Sequence, residues 1–485
     1  MNRGIGIFAA ALLASGAAHA QQSAPLQQRV ETMLHAAGQG PRWGLVVADE
    51  TGREIVAINP DSRFIPGSNT KIFTTAAAFV TLDGLDQPDA AGGAAIRLET
   101  YRKGPPDVVL EGHGDARLSS APDCTTDCLA TLADAVVAKT KRVHDVIGDD
   151  SLYPFEGWPQ GMSWNNIPTR SGTNISALTL DDNEVPMTVT PGAPGAAPTL
   201  DLPPYYMVDN RAMTVAGDKV DLAYDRAPNT DQVRLLGTIG VSAKPELFRM
   251  GVDDPARYAA WRLRALLEAR GVKVTGSIDV RHRLPAWSDD GAHRNGAPPM
   301  HPPQQPVLAQ LIPPPLYADM IRTNKISQNL HAELFLRRVS RKTGSGSVAD
   351  GLAAVRAMLD KAGVPRADYD FADGSGMSSY DRVAPRGAVI FLRWIVAQPW
   401  GAQWRETLPI GGEQGTLGRR FRGTPLEGKL FAKTGTLNQS NALSGYMIAK
   451  SGKALTFSSF ANDVPDDVHA TRAMDDALNL IAGEN

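Results

Sequence analysis

The chain has 485 residues, 42% of them hydrophobic and 21% charged, with a formal net charge of −3. Such a composition builds a packed core and excludes an intrinsically disordered chain; at ~100–200 residues per domain it makes roughly two to four domains. Charge is near balance and no long run of either sign occurs, which argues against nucleic acid or an anionic membrane surface as a partner.

The chain opens "MNRGIGIFAAALLASGAAHAQQ". Arg3, the apolar run Ile5 to Ala18 and the small-x-small tripeptide Ala18-His19-Ala20 predict a secretory signal, residues 1–20, cleaved after Ala20. No other apolar run is long enough to cross a bilayer, so no transmembrane anchor is expected and at most peripheral membrane association. Next comes "RFIPGSNTKIFTTAAAFVTL", a Pro-Gly turn, Ser68, and a helix carrying Lys71. "AIRLETYRKGPPDVVLEGHGDARL" alternates around Gly-Pro-Pro and predicts a hairpin. The two cysteines, Cys124 and Cys128, read as a local disulfide of an exported chain in preference to a metal site, whose nearest upstream histidine is His113.

"ATLADAVVAKTKRVHDVIGDDSLY" predicts a helix then a short strand. "MTVTPGAPGAAPTL" predicts an exposed loop. "ARYAAWRLRALLEARGVKVTGSIDVRHRL" predicts a helix stopped at Gly271, then a strand. "NGAPPMHPPQQP" and "IPPPL" read as connections. From about Pro306 helix signals dominate until the strands "GKLFAKTGTL", "NALSGYMIAK" and "ALTFSSFAN". The C-terminal segment has helical spacing and is acidic, which suits a packing helix and not a basic membrane anchor. The class is α+β.

Three short motifs carry chemistry. A serine hydroxyl needs a neighbouring base to attack at neutral pH, and residues i and i+3 share a helix face. Ser68 and Lys71 have that spacing, provided that Lys71 can lose its proton through burial or a neighbouring cation; the plainer alternative is a capping serine with a solvated lysine. In "KISQNLHAELFLRRV", Ser327 could relay a proton and Asn329 could hold a substrate carbonyl and Lys71; here too helix capping is the plainer alternative. In "GKLFAKTGTLNQSNALSGYMI", Lys433 and Thr434 at the end of a strand suit a carboxylate. Gly435 would let a substrate backbone approach closely. The N–H of Thr436, with that of Ser68, would make an oxyanion hole. A second Lys-Thr-Gly, Lys342 to Gly344, falls at a helix end with Gly344 as its cap and is rejected as a binding motif.

In this order the motifs resemble those of the penicillin-recognising acyl-serine enzymes, Ser-x-x-Lys, Ser-x-Asn and Lys-Thr-Gly. The long stretch between Ser68 and Ser327, with "DGSGMSSYDRVAP" and "GGEQGTLGRRF", resembles the class C low-molecular-mass penicillin-binding proteins of the peptidase S13 (DacB) type. The resemblance implies a transpeptidase/β-lactamase-like domain, an antiparallel five-stranded sheet flanked by helices, with two smaller domains inserted. The expected boundaries are 21–87 and 299–485 for the first domain, 88–113 and 188–298 for the second, and 114–187 for the third.

It further implies a periplasmic D-Ala-D-Ala carboxypeptidase/endopeptidase that works without metal or cofactor. Peptidoglycan stem peptides would be substrates and β-lactams acylating inhibitors. Ser68, Lys71, Ser327 and Asn329 would be catalytic, and Lys433, Thr434, Gly435 and Thr436 would bind substrate. "GDDSLY" resembles a segment touching the far end of the substrate, which carries over Asp149 and Tyr153. Ser379 stands where the family usually has Arg, which bears on preference for a diaminopimelate side chain. Two rivals stand beside this reading: a serine β-lactamase, and a non-catalytic penicillin-binding or scaffold protein.

Overall fold

The structure, a computed structural model, describes residues 25–100 and 104–485; the expected signal segment lies outside the described residues. The described residues divide into two compact units, one of residues 25–69, 360–370 and 381–485, the other of residues 70–100, 104–359 and 371–380.

The first unit is built on five strands: β1 (Arg42–Ala48), β2 (Glu54–Ile58), β3 (Leu430–Leu437), β4 (Ser440–Ile448) and β5 (Ala454–Asn462). Their order is β3-β4-β5-β1-β2 and every neighbouring pair is antiparallel. Central strands such as β1 read as nearly continuous apolar runs because helices cover both sheet faces. Leu45 and Val47 point toward the helices Leu26–His35 and Ala470–Glu484, joining Val30, Leu34, Met474, Leu478 and Ile481 in one core. Val46 and Ala48 point the other way and pack on Val389 of the helix Pro385–Val396, as the period of two requires. The C-terminal helix is therefore the packing helix the sequence predicts.

A two-residue turn, Asn438-Gln439, closes the β3–β4 hairpin in the register Leu437↔Ser440. Asn438 has φ 48°, a left-handed conformation that asparagine tolerates and tight hairpins require. This hairpin leaves β3 at the sheet edge.

The second unit contains a mixed sheet in the order 278–283, 146–154, 107–111, 95–99, 309–310. The expected hairpin is present: Ala95–Glu99 pairs antiparallel with Asp107–Glu111. The strand Val146–Pro154 lies parallel to both its neighbours. Helices Leu129–Val137 and Pro255–Ala269 bury Leu132, Val136, Leu263 and Leu267 with Val108 and Leu110 of this sheet. Cys124 and Cys128 are joined as a disulfide.

One expectation is corrected. "MTVTPGAPGAAPTL" is a loop only in its middle, because Thr188–Thr190 and Thr199–Asp201 pair as antiparallel strands. Three helices of this unit matter below: α1 (Thr70–Thr81), α2 (Leu316–Lys325) and α3 (Asn329–Thr343).

Candidate active site

In the first unit, Pro66 leads into a single 3₁₀ turn, Gly67–Asn69, which places Ser68 at the start of a helix. Gly67 has φ +50°, and a Cβ there would come within 3.0 Å of the Thr436 nitrogen. A Cβ on Gly435 would sit 2.2 Å from the Pro66 carbonyl oxygen. Both contacts are to backbone, which cannot swing aside, so only glycine lets this turn and β3 lie so close. Asn69 locks the approach by donating from Nδ2 to the Lys433 carbonyl, 2.8 Å.

On β3 itself Lys433 is fully buried and its Nζ donates to the Thr434 carbonyl, 2.9 Å. The Thr434 hydroxyl lies 2.8 Å from that of Thr416, while Thr436 is exposed. Thr416 belongs to the "GGEQGTLGRRF" block.

The chain passes into the second unit between Asn69 and Thr70, inside the Ser-x-x-Lys motif. Here α1 is buried almost throughout, Lys71 to 0% exposure. Its Nζ donates to Asn329 Oδ1 at 2.6 Å and to the Ser375 carbonyl at 2.6 Å. The second acceptor comes from the "DGSG" block. That block is held against α1 by a hydrogen bond from Thr74 to the Gly374 carbonyl, 2.7 Å, and by Phe73 against Phe371.

Asn329 is the first residue of α3, and Gln328 precedes it as N-cap without a side-chain cap bond. The capping alternative therefore does not describe Asn329: its Oδ1 accepts from Lys71 and its Nδ2 donates to the Ser171 carbonyl, 2.9 Å. Ser327 lies between α2 and α3 with φ +65°, a conformation uncommon outside glycine that persists only where surroundings enforce it.

One turn along α3 the carboxyl of Glu333 is fully buried. Burial, reinforced by the neighbouring Asp373 carboxylate, pushes it up to about 7. It accepts the Gly374 N–H at 3.0 Å, so it steadies the loop that offers its Ser375 carbonyl to Lys71. Its position four residues after Asn329, on the same helix face, was the available sequence signal.

Asp149 and Tyr153 fall on the strand Val146–Pro154. Asp149 accepts from the Ser151 backbone, 3.0 Å, and hydroxyl, 2.6 Å, and pairs with Arg97 at 3.4 Å, which also binds Glu99 and Glu111. Tyr153 is 4% exposed and packs with Leu330 and Leu334 of α3. Burial raises its phenol pKa. The ring thus backs α3 from within the core.

The first unit thus carries Ser68 in a helix-start turn and a buried lysine on the edge strand of a five-stranded antiparallel sheet, and the second carries the buried Lys71. The sequence profile of the family described as D-Ala-D-Ala carboxypeptidase 3 (S13) matches residues 26–484. The D-alanyl-D-alanine carboxypeptidase of Actinomadura sp. (strain R39) is 32% identical over 456 residues, covering 89% of this chain and 80% of that relative. D-alanyl-D-alanine carboxypeptidase DacB of Haemophilus influenzae is 24% identical, covering 87% of this chain and 86% of its own length. In fold, the crystal structure of penicillin binding protein 4 (dacB) from Haemophilus influenzae superposes with a TM-score of 0.74 at 22% identity, covering 90% of this chain and 93% of that one. The chain belongs to the D-Ala-D-Ala carboxypeptidase 3 (S13) family, and it is a serine-type D-Ala-D-Ala carboxypeptidase of the penicillin-binding kind.

Proposed function

We propose that Ser68 is the residue acylated by substrate and by β-lactams, with Lys71 as its general base. Ser68 Oγ gives its proton to a neutral Lys71 as it attacks the carbonyl of the D-Ala-D-Ala amide. The N–H groups of Ser68 and Thr436 receive the oxyanion. Collapse breaks the C–N bond; a proton passed by way of Ser327 leaves with the amine of D-Ala, and an ester on Ser68 remains. Water hydrolyses that ester and restores the serine. Asn329 positions Lys71 and the substrate amide. Lys433 and Thr434 bind the terminal carboxylate, and the stem peptide extends along edge strand β3 in the manner of an added strand. Gly435 keeps that path clear.

The same chemistry would cut D-Ala–diaminopimelate cross-links, which makes endopeptidase work part of the proposal. Asp149 and Tyr153 enter as the strand that backs the far end of the substrate. The domain division given above and export to the periplasm by residues 1–20 belong to the same reading. Among the described residues no helix is long and apolar enough to cross a membrane.

The observation that carries the proposal is Lys71: a lysine with no exposed surface, held by two neutral oxygens three residues from a helix-start serine. A fluorescent penicillin should label the wild type and leave Ser68→Ala unlabelled. Lys71→Ala should acylate at least about 100-fold more slowly, the lower end of the usual worth of a positioned base. Acylation of Lys71→Ala at the wild-type rate sinks the assignment, and nitrocefin turnover faster than a few per minute would favour the β-lactamase rival.

A further inference from the structure

The turn Asp181-Asp182-Asn183 has φ values of 52°, 56° and 52°. Three successive left-handed residues, none of them glycine, are sterically costly; aspartate and asparagine bear this conformation best. The surroundings enforce it. Asp181 accepts from the Ser120 N–H, 2.8 Å, the Ser120 hydroxyl, 2.5 Å, and the Ser119 hydroxyl, 3.1 Å. Asn183, fully buried, accepts from Leu180 N–H at 3.0 Å and donates to the Asn174 carbonyl at 3.1 Å. The middle residue is left to point away from this anchorage.

Its carboxylate spans two helices. Asp182 Oδ1 lies 2.8 Å from His331 Nε2, and Oδ2 accepts from Arg322. Arg322 is in the last turn of α2 and His331 in the first turn of α3. Between them runs Ile326-Ser327-Gln328, with Ser327 in its enforced backbone conformation. Burial alone would raise the Asp182 carboxyl, but the hydrogen bond and charge of His331, with Arg322, outweigh it and hold it at about 2. An ionised carboxylate only accepts, so His331 Nε2 carries the hydrogen. His331 is 1% exposed, and its Nδ1 faces Asp319 at 3.6 Å; Asp319 accepts in turn from Arg117. The ring therefore has one strong anchor, and that anchor is Asp182.

We propose that Asp182 is a positioning residue for the reaction: it clamps the end of α2 to the start of α3 and so fixes where Ser327 and Asn329 stand. The inference rests on the roles given above to those two residues. Two segments in unfavourable backbone conformations, joined through one carboxylate, are what a preorganised site needs. A pair serving stability alone would not require the left-handed turn, since an aspartate on a regular element could reach the same histidine.

The test is Asp182→Asn, which keeps the size and the left-handed tolerance and loses the charge. Acylation by a fluorescent penicillin and kcat on a D-Ala-D-Ala peptide should each fall at least 10-fold, with KM within twofold and the melting transition still cooperative. His331→Gln should fall similarly, and the double variant should be no slower than the slower single. Should Asp182→Asn not fold, Arg322→Met, at a side chain 41% exposed, carries the test: a two- to fivefold loss of kcat supports the clamp and a wild-type rate overturns it. Acylation of Asp182→Asn within twofold of wild type, or a change in Tm alone, overturns it outright. A wild type that takes no label instead fails the Ser68 mechanism, and the clamp falls with it.

Discussion

Lys342-Thr343-Gly344 and Lys433-Thr434-Gly435 are the same tripeptide in two settings. The first ends helix α3: Lys342 is 49% exposed and pairs with Asp83 at 2.7 Å. The second lies on edge strand β3, with its lysine fully buried. Even the glycines differ in purpose. Gly344 has the extended φ of −137° and makes room for the Asp350 side chain, 2.3 Å from a Cβ built there, whereas Gly435 makes room for the Pro66 carbonyl. In the function proposed above, a binding motif is thus a tripeptide plus a strand that buries its lysine and a glycine that admits a backbone; composition alone does not make one.

The widest separation should come from the lysines. Lys433→Ala should slow penicillin acylation by about 10²–10³-fold, the scale of losing one preorganised electrostatic contact to the reacting group. Lys342→Ala should leave acylation within twofold and Tm within about 1 °C, since an exposed ion pair contributes at most about 1 kcal/mol. Equal losses in the two variants would erase the distinction.

The glycines should separate next. Gly435→Ala forces the Thr436 N–H away from Ser68's turn and should cost about 10²-fold in acylation. Gly344→Ala must displace Asp350 from the Ser345 N–H and Arg294 and should lower Tm by several degrees, an unsatisfied buried charge contact costing about 1–3 kcal/mol, while acylation is unchanged.

The two ends of α3 should differ least visibly, through pH. Glu333 near its start has a folded-state value of about 7 against 4.5 when unfolded. The folded state binds the proton more tightly, so this contribution is complete below about pH 4.5 and is lost as pH rises through 7. Glu333→Gln should flatten that part of the fall in Tm between pH 5 and 8, read by calorimetry. A slope identical to wild type would show that Glu333 does not titrate there. Changing Lys342, at the other end of the helix, should leave the slope alone.

Much of the site is legible in the residues. Ser68 behind Pro-Gly starts a helix, Ser327 to Asn329 opens another, and Lys433 to Thr436 closes a strand before a polar turn. Local signals settle such placements because caps, turns and periodicity act within a few residues. What stays hidden is set by partners far along the chain. The loop reading of 187–200 misses strands because pairing with 246–251 decides them, and Pro-Gly content masks their short ends. Nothing near Ser375 or Thr416 says that one offers a carbonyl to Lys71 or that the other meets Thr434. Tyr153 sits in a motif-like segment, yet its ring is buried against α3.

The amino-acid sequence by itself determined which groups are on offer to the proposed reaction: a serine, two lysines and an asparagine, each at the end of an element whose start or stop is written within a few positions. Only the tertiary structure decided their state. Burial of a lysine, the carboxyl raised beside its loop and the aspartate spanning two helices all depend on dielectric and on contacts between residues hundreds of positions apart, and these exist only once the chain has folded.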